Sequence, residues 1–220
     1  MIQFINNKTT KPGNLRKLKL LIRRIIGRPV LKEYYDSTGS IFIHIPKAAG
    51  KSVATTLYGD DKPGHYYASD YYMENKLKFN DFYKFTFVRD PVERLKSAYY
   101  FLIEGGGSAG DKKFGRELKK QTASFDDFVL NWLDEDRLYS WIHFVPQYEF
   151  LCIDGKLAVD YVGRFENITK NFADVASKIN CNNKLAEINK TKSQKIEVLN
   201  GLVIDKIRHL YQRDIELFGY

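Results

Sequence analysis

The chain of 220 residues carries 44% hydrophobic, 28% charged and 15% aromatic residues, which suits one globular domain with a sizeable core and excludes a disordered or fibrous chain. Its formal net charge of +8 is unevenly placed: residues 1–38 hold nine Lys/Arg against two acids, a net of +7, and residues 39–220 hold 26 against 25, a net of +1. A body so close to neutral excludes nucleic-acid binding through a general basic surface, so any anion site in it must be built locally.

The chain divides at this charge boundary into a basic N-terminal arm, residues 1–38, and a domain, residues 39–220. Residues 1–12 read as disordered. From Asn14 to Ile26, Leu15, Leu18, Leu21, Ile22, Ile25 and Ile26 recur at helical spacing with Lys and Arg between them, which predicts an amphipathic helix. Two readings of it stand: a helix packed on the domain with a solvated basic face, or a peripheral membrane contact through residues 14–26. Gly27 and Pro29 stop it. No apolar run reaches the ~18 residues needed to cross a bilayer, and no signal peptide opens the chain, so the expectation is a cytoplasmic protein. Cys152 and Cys181 have no metal-ligand spacing and are too few for a disulfide framework, so two thiols are expected. Asn167-Ile168-Thr169 and Asn189-Lys190-Thr191 match the glycosylation sequon and read as chance matches.

Within the domain, Ser40 to Ile45 predicts a short buried strand, followed by a turn and a helix from about Lys51 to Tyr58. Residues 59–66 form a Gly/Pro/Asp-rich loop and 67–78 a helix. Phe82 to Val88 is a second strand. Asp90-Pro91-Val92-Glu93 starts a helix running to about Ile103, with Asp90 as N-cap and Pro91 at the first helical position. The run from Gly105 to Gly110 predicts a mobile loop. Residues 124–135 predict an amphipathic helix, Val159 to Phe165 a third strand, Asn167 to Ile179 a helix, 183–195 a polar loop and Leu202 to Leu217 a closing helix. Strands alternating with helices predict an α/β fold, a parallel sheet flanked by helices in a single domain.

Two segments carry chemistry. In Pro46-Lys47-Ala48-Ala49-Gly50-Lys51-Ser52 a strand gives way to a helix N-terminus, with free N–H groups and a positive dipole end. Small residues let a phosphate approach the backbone, Lys47 and Lys51 supply cations, and Ser52 supplies a hydroxyl. The tail Gly50-Lys51-Ser52 fits the end of a Walker A motif, but Ile45 stands where that motif needs its first glycine. The second strand ends in Arg89 and not in an Asp that could hold magnesium. In the other segment Arg89 follows a strand and can fork onto a phosphate, or else form an ion pair with Asp90 or Glu93. Ser97 lies eight positions on, about two helical turns up.

His44-Ile45-Pro46-Lys47-Ala48-Ala49-Gly50-Lys51-Ser52 resembles the 5′-phosphosulfate loop of sulfotransferases that use 3′-phosphoadenosine-5′-phosphosulfate (PAPS). Phe87-Val88-Arg89-Asp90-Pro91 through Ser97-Ala98-Tyr99 resembles their 3′-phosphate segment. Trp141 to Tyr148, Asp160 to Asn167 and the ending Tyr211 to Tyr220 are similar to the carbohydrate branch, the family 2-like sulfotransferases. The likeness covers roughly residues 40–220. It implies a P-loop-like α/β fold, PAPS as co-substrate with PAP (adenosine 3′,5′-bisphosphate) as product, no metal, and a hydroxyl acceptor, a glycan; the near-neutral body argues for no nucleic-acid partner. Carried across, Lys47 steadies the leaving phosphate, the backbone of Ala49 to Ser52 cradles it, and Arg89 and Ser97 hold the 3′-phosphate. Lys51 departs from the family, which often has Thr or Ser there. For the general base, His65 in Gly64-His65 matches a Gly-His base of related glycan sulfotransferases; Glu93, Asp70 and His143 are its rivals, and His44 is open to either orientation. The competing functions are an ATP-dependent nucleoside or small-molecule kinase and a binding module with a dead nucleotide pocket.

Overall fold

The computed structural model describes residues 14–60, 62–185 and 199–220. In chain order the elements are α1 (Asn14–Ile25), α2 (Tyr34–Thr38), β1 (Ser40–Phe42), α3 (Gly50–Tyr58), α4 (Ala68–Glu74), α5 (Lys76–Asp81), β2 (Tyr83–Val88), α6 (Pro91–Ile103), α7 (Ala109–Gln121), α8 (Phe125–Asp127), a π-helical turn (Phe128–Trp132), α9 (Gln147–Leu151), β3 (Cys152–Ile153), β4 (Lys156–Leu157), β5 (Tyr161–Arg164), α10 (Ile168–Lys178), α11 (Gly201–Leu210) and α12 (Gln212–Phe218). This is an α/β fold. Its described residues gather into two compact units, one holding the sheet and the other running from Arg89 to Pro146 and through the C-terminal helices.

In the sheet unit, β1, β2 and β5 are parallel in the order β1-β2-β5, with Phe42 paired to Phe85 and Val88 to Arg164. Helices pack on it, α2 against β1 and α10 against β5. Ile41, Phe42, Phe85, Phe87 and Val88 are buried, as expected for strands covered on both faces. The predicted strand to Ile45 is shorter than expected. The Ile43 N–H still donates to the Phe85 carbonyl at 2.9 Å, and the Thr86 hydroxyl takes the Ile43 carbonyl at 2.8 Å. Pro46 then has no N–H for a ladder. Gly163 is required in β5, because a Cβ there would lie 2.6 Å from the Phe87 ring. A second sheet is a hairpin, β3-β4, closed by Asp154 and Gly155 at φ 50° and 78°, the two left-handed residues of a tight hairpin turn. The predicted helix over 67–78 is two helices. Asn75 is extended, and its side chain accepts from the Lys78 N–H at 3.1 Å to start α5, the usual way Asn competes with a continuing helix. Cys152 and Cys181 are not joined to each other.

The second unit is helical. Leu95, Ala98, Tyr99 and Leu102 of α6 pack with Leu118 of α7, Phe125, Phe128 and Val129, and with Val203 and Ile207 of α11. The glycine run is not a loop throughout. Gly105 and Gly106 turn the chain at positive φ, and Ser108 then caps α7, so Gly110 lies inside a helix. Gly115 lets α7 touch α6, since a Cβ there would sit 1.9 Å from the Leu102 carbonyl. The predicted closing helix breaks at Tyr211, whose buried hydroxyl donates to the Phe144 carbonyl at 2.6 Å. The predicted helix over 124–135 is shorter and ends in a π turn. The predicted loop over 183–195 falls mostly outside the described residues, as does the expectation for residues 1–12.

Arg94 and Asp111 are among the charged side chains buried in this unit. Arg94, with 0% exposure, donates to the carbonyls of His143 (3.2 Å) and Val145 (2.8 Å) and lies over the Tyr211 ring. Asp111 accepts from the Ser108 N–H and hydroxyl and from the Trp141 indole N–H, at 2.8–2.9 Å. Burial pushes the Asp111 carboxyl up, but these hydrogen bonds and the neighbouring His143 outweigh it and hold the group below its ordinary value. A carboxylate depressed in the folded state adds stability above its unfolded pKa, ~3.9, and loses it as pH falls through the folded value. Asp111→Asn should therefore lower unfolding free energy by ~1–3 kcal/mol at pH 7. Urea titrations of both proteins should show that difference narrowing below about pH 4.

Candidate active site

The turn after β1 is strained in a defined way. Lys47 and Ala49 have φ of 67° and 62°, a left-handed backbone that costs a non-glycine residue roughly 1–2 kcal/mol. Strain of this kind persists only where the surroundings enforce it. Ala49 is left-handed and Gly50, next to it, opens α3. Such alternation turns successive N–H groups toward one concavity, an anion nest. The first bond of α3 runs from the Val53 N–H to the Ala49 carbonyl, so the N–H groups of Gly50, Lys51 and Ser52 precede the intrahelical ladder. Pro46, Ala48 and Ser52 are buried, Lys47 is half-buried, and Lys51 is exposed.

His44 determines how this turn is held. Residues 42 and 44 share a strand face by the period of two, and the Phe42 and His44 rings stack at 5.9 Å. The His44 ring lies against Gly50 so closely that a Cβ there would fall 1.6 Å from its Cδ2. His44 Nδ1 donates to the Gly64 carbonyl at 2.7 Å. His65 in turn places Nδ1 3.4 Å from the His44 carbonyl, a long contact, with the two rings 4.3 Å apart. The sheet unit thus brings His65 beside His44, whose ring packs on the turn at 46–52. It also decides the orientation of His44, which the sequence reading left open. Strand alternation from the apolar Phe42 was the signal that could have placed His44. Gly64 takes φ 74° at the loop, where a Cβ would meet the Tyr66 ring at 2.7 Å. Asp70, a rival for the base, is buried and accepts from the Tyr67 N–H at 2.8 Å to cap α4.

In the helical unit, Arg89 follows directly on β2 and stands before α6. Asp90 caps that helix through the Glu93 N–H at 3.0 Å, with Pro91 at its first position, as the sequence predicts. Arg89 lies 3.6 Å from Glu93, a loose pair whose Glu93 side chain is half exposed and which holds little energy. Ser97 is buried two turns up α6. His143, another rival, is buried with Nδ1 3.7 Å from Asp111 and its ring against Phe101.

The sequence profile described as the sulfotransferase family matches residues 36–220. The chain belongs to the sulfotransferase family. It is 23% identical over 216 residues to carbohydrate sulfotransferase 14 of Danio rerio, covering 81% of this chain and 58% of that protein. It is 29% identical over 107 residues to carbohydrate sulfotransferase 14 of Mus musculus, and 28% identical over 107 residues to that of Homo sapiens, in each case over 43% of this chain and 28% of the relative. The chain spans at most 58% of the length of these relatives. No solved structure matches it significantly.

The region matched by the family includes both the turn at 46–52 and the segment from Arg89 to Ser97, and α1 precedes it. The membership gives the kinase reading no support. Gly50→Ala tests the packing of the turn directly, because its methyl group takes the place of the His44 ring. Cooperative unfolding should persist with the melting temperature lowered by several degrees, read by differential scanning calorimetry.

Proposed function

We propose that this chain transfers a sulfuryl group from PAPS to a hydroxyl of a carbohydrate and releases PAP. The observation that carries the reading is the turn at 46–52, with left-handed Lys47 and Ala49 leading into α3, in a chain of the sulfotransferase family. PAPS supplies an activated sulfuryl group on a good leaving phosphate. The acceptor oxygen attacks sulfur in line as the bond to that phosphate breaks, and charge gathers on the departing oxygen. Fixed donors aimed at that charge supply most of the stabilisation. Lys47 and the N–H groups of Ala49 to Ser52 are those donors. Lys51, exposed, serves as a long-range cation and not as a direct contact.

His65 is the proposed base. Its Nδ1 faces the His44 carbonyl at 3.4 Å, and imidazole is the side chain whose ordinary pKa suits proton removal near neutral pH. Proton removal by a positioned group contributes typically ~10²–10⁴ in rate. Arg89 and Ser97 are assigned the 3′-phosphate, on the family resemblance and on the bidentate fit of a guanidinium to phosphate. That phosphate separates PAPS from ATP. The glycan acceptor rests on the carbohydrate sulfotransferases to which the chain is similar.

Three measurements test this. PAP release from PAPS with a panel of glycan acceptors should fall at least ~10²-fold in Lys47→Ala and in His65→Ala, with melting temperatures near that of the parent. Normal turnover in the His65 variant would remove that residue from the mechanism. Arg89→Ala should raise the KM for PAPS by ~10-fold or more, the worth of a charge-assisted hydrogen bond, and an unchanged KM would break the 3′-phosphate assignment. PAP should raise the melting temperature more than 5′-AMP or ATP does.

A further inference from the structure

We infer that α1 is an interfacial helix that docks the sheet unit on an anionic membrane surface. The helix uses one face already. Leu20 is buried at 9% exposure, Arg23 hydrogen-bonds to the Tyr66 hydroxyl and lies over its ring at 5.2 Å, and α1 packs against α4. The other face is open. Leu18, Leu21, Ile22, Ile25 and Ile26 are 47–74% exposed, and their spacing of 0, 3, 4, 7 and 8 makes them a single stripe along the helix. Five large aliphatic side chains in one exposed row exceed the scattered apolar residues of an ordinary surface.

Charge selects the occupant. Residues 14–28 contain Arg16, Lys17, Lys19, Arg23, Arg24 and Arg28 and no acid, and the arm 1–38 holds +7 of the +8 total. A second copy docked through the same stripe would set this cationic stretch against itself. A bilayer with anionic headgroups takes the aliphatic row into its interface and the cations into its surface potential. α1 lies before residue 36, where the family match starts, and none of the five residues of the stripe is among the proposed catalytic or nucleotide-binding residues.

The test is sedimentation of the full chain with lipid vesicles. Vesicles of phosphatidylcholine with 30% phosphatidylserine should bind it, pure phosphatidylcholine should bind it at least ~10-fold more weakly, and raising salt from 0.1 to 0.5 M should release it. The exposed pair Ile22→Ser/Ile25→Ser should weaken binding ~10-fold or more while leaving melting temperature and PAP release unchanged. Ile22→Trp gives a second readout, a blue-shifted emission on anionic vesicles alone. Failure to bind the anionic vesicles would overturn the inference. So would binding indifferent to lipid charge and salt, or a solution dimer that the double serine variant dissociates.

Discussion

The imidazole of His44 ties together segments that the chain order keeps apart. Its ring occupies the space over Gly50 where any side chain would stand. Its Nδ1–H engages the Gly64 carbonyl, and its own carbonyl meets the His65 ring. The end of β1, the start of α3 and the Gly64–His65 loop therefore form one block, with His44 itself buried. A buried ring anchored by a hydrogen bond is costly to move. That is why the turn can hold Lys47 and Ala49 in a backbone they would otherwise avoid. The strain is met on folding, so the backbone of the turn is fixed in advance, as the proposed anion site requires.

The helical unit solves a different problem. Residues 141–146 run without regular structure, yet the carbonyls of His143, Phe144 and Val145 are each satisfied by a side chain: Arg94, Tyr211 and Arg94 again. Buried backbone acceptors must find donors, and here a fully buried guanidinium and a phenol replace a ladder. Tyr211 is held so firmly that the helix running through it breaks into α11 and α12. Burial also pushes its hydroxyl well up, the positive Arg94 opposing, so it stays a donor. Asp111 works similarly at the start of α7, where it receives Ser108 and Trp141.

Much of this was legible in the residues. The α/β alternation, the capped start of α6 at Asp90-Pro91 and the strand–turn–helix at 40–58 follow from local rules that tertiary packing did not override. Helix α7 was missed because its glycines read as a loop, although Ser108 and Asp111 stand at capping-box spacing. The hairpin at 152–157 was missed although Asp154-Gly155 is a strong turn signal. The single helices expected over 67–78 and 202–217 failed at Asn75 and Tyr211, the first through a local cap and the second through a contact 67 residues away.

The sequence by itself determined which residue types stand at the turn over 46–52, where the positive charge is concentrated, and where most helices and strands begin, since these depend on neighbours a few positions away. Tertiary structure alone decided that His44 turns toward Gly50 and Gly64, that His65 lies beside it, and that the apolar row of α1 faces outward while Leu20 and Arg23 face the protein. Those outcomes depend on which surfaces remain after other elements have packed. Short-range periodicity offers a side chain two faces and holds no information about which of them a distant segment will cover.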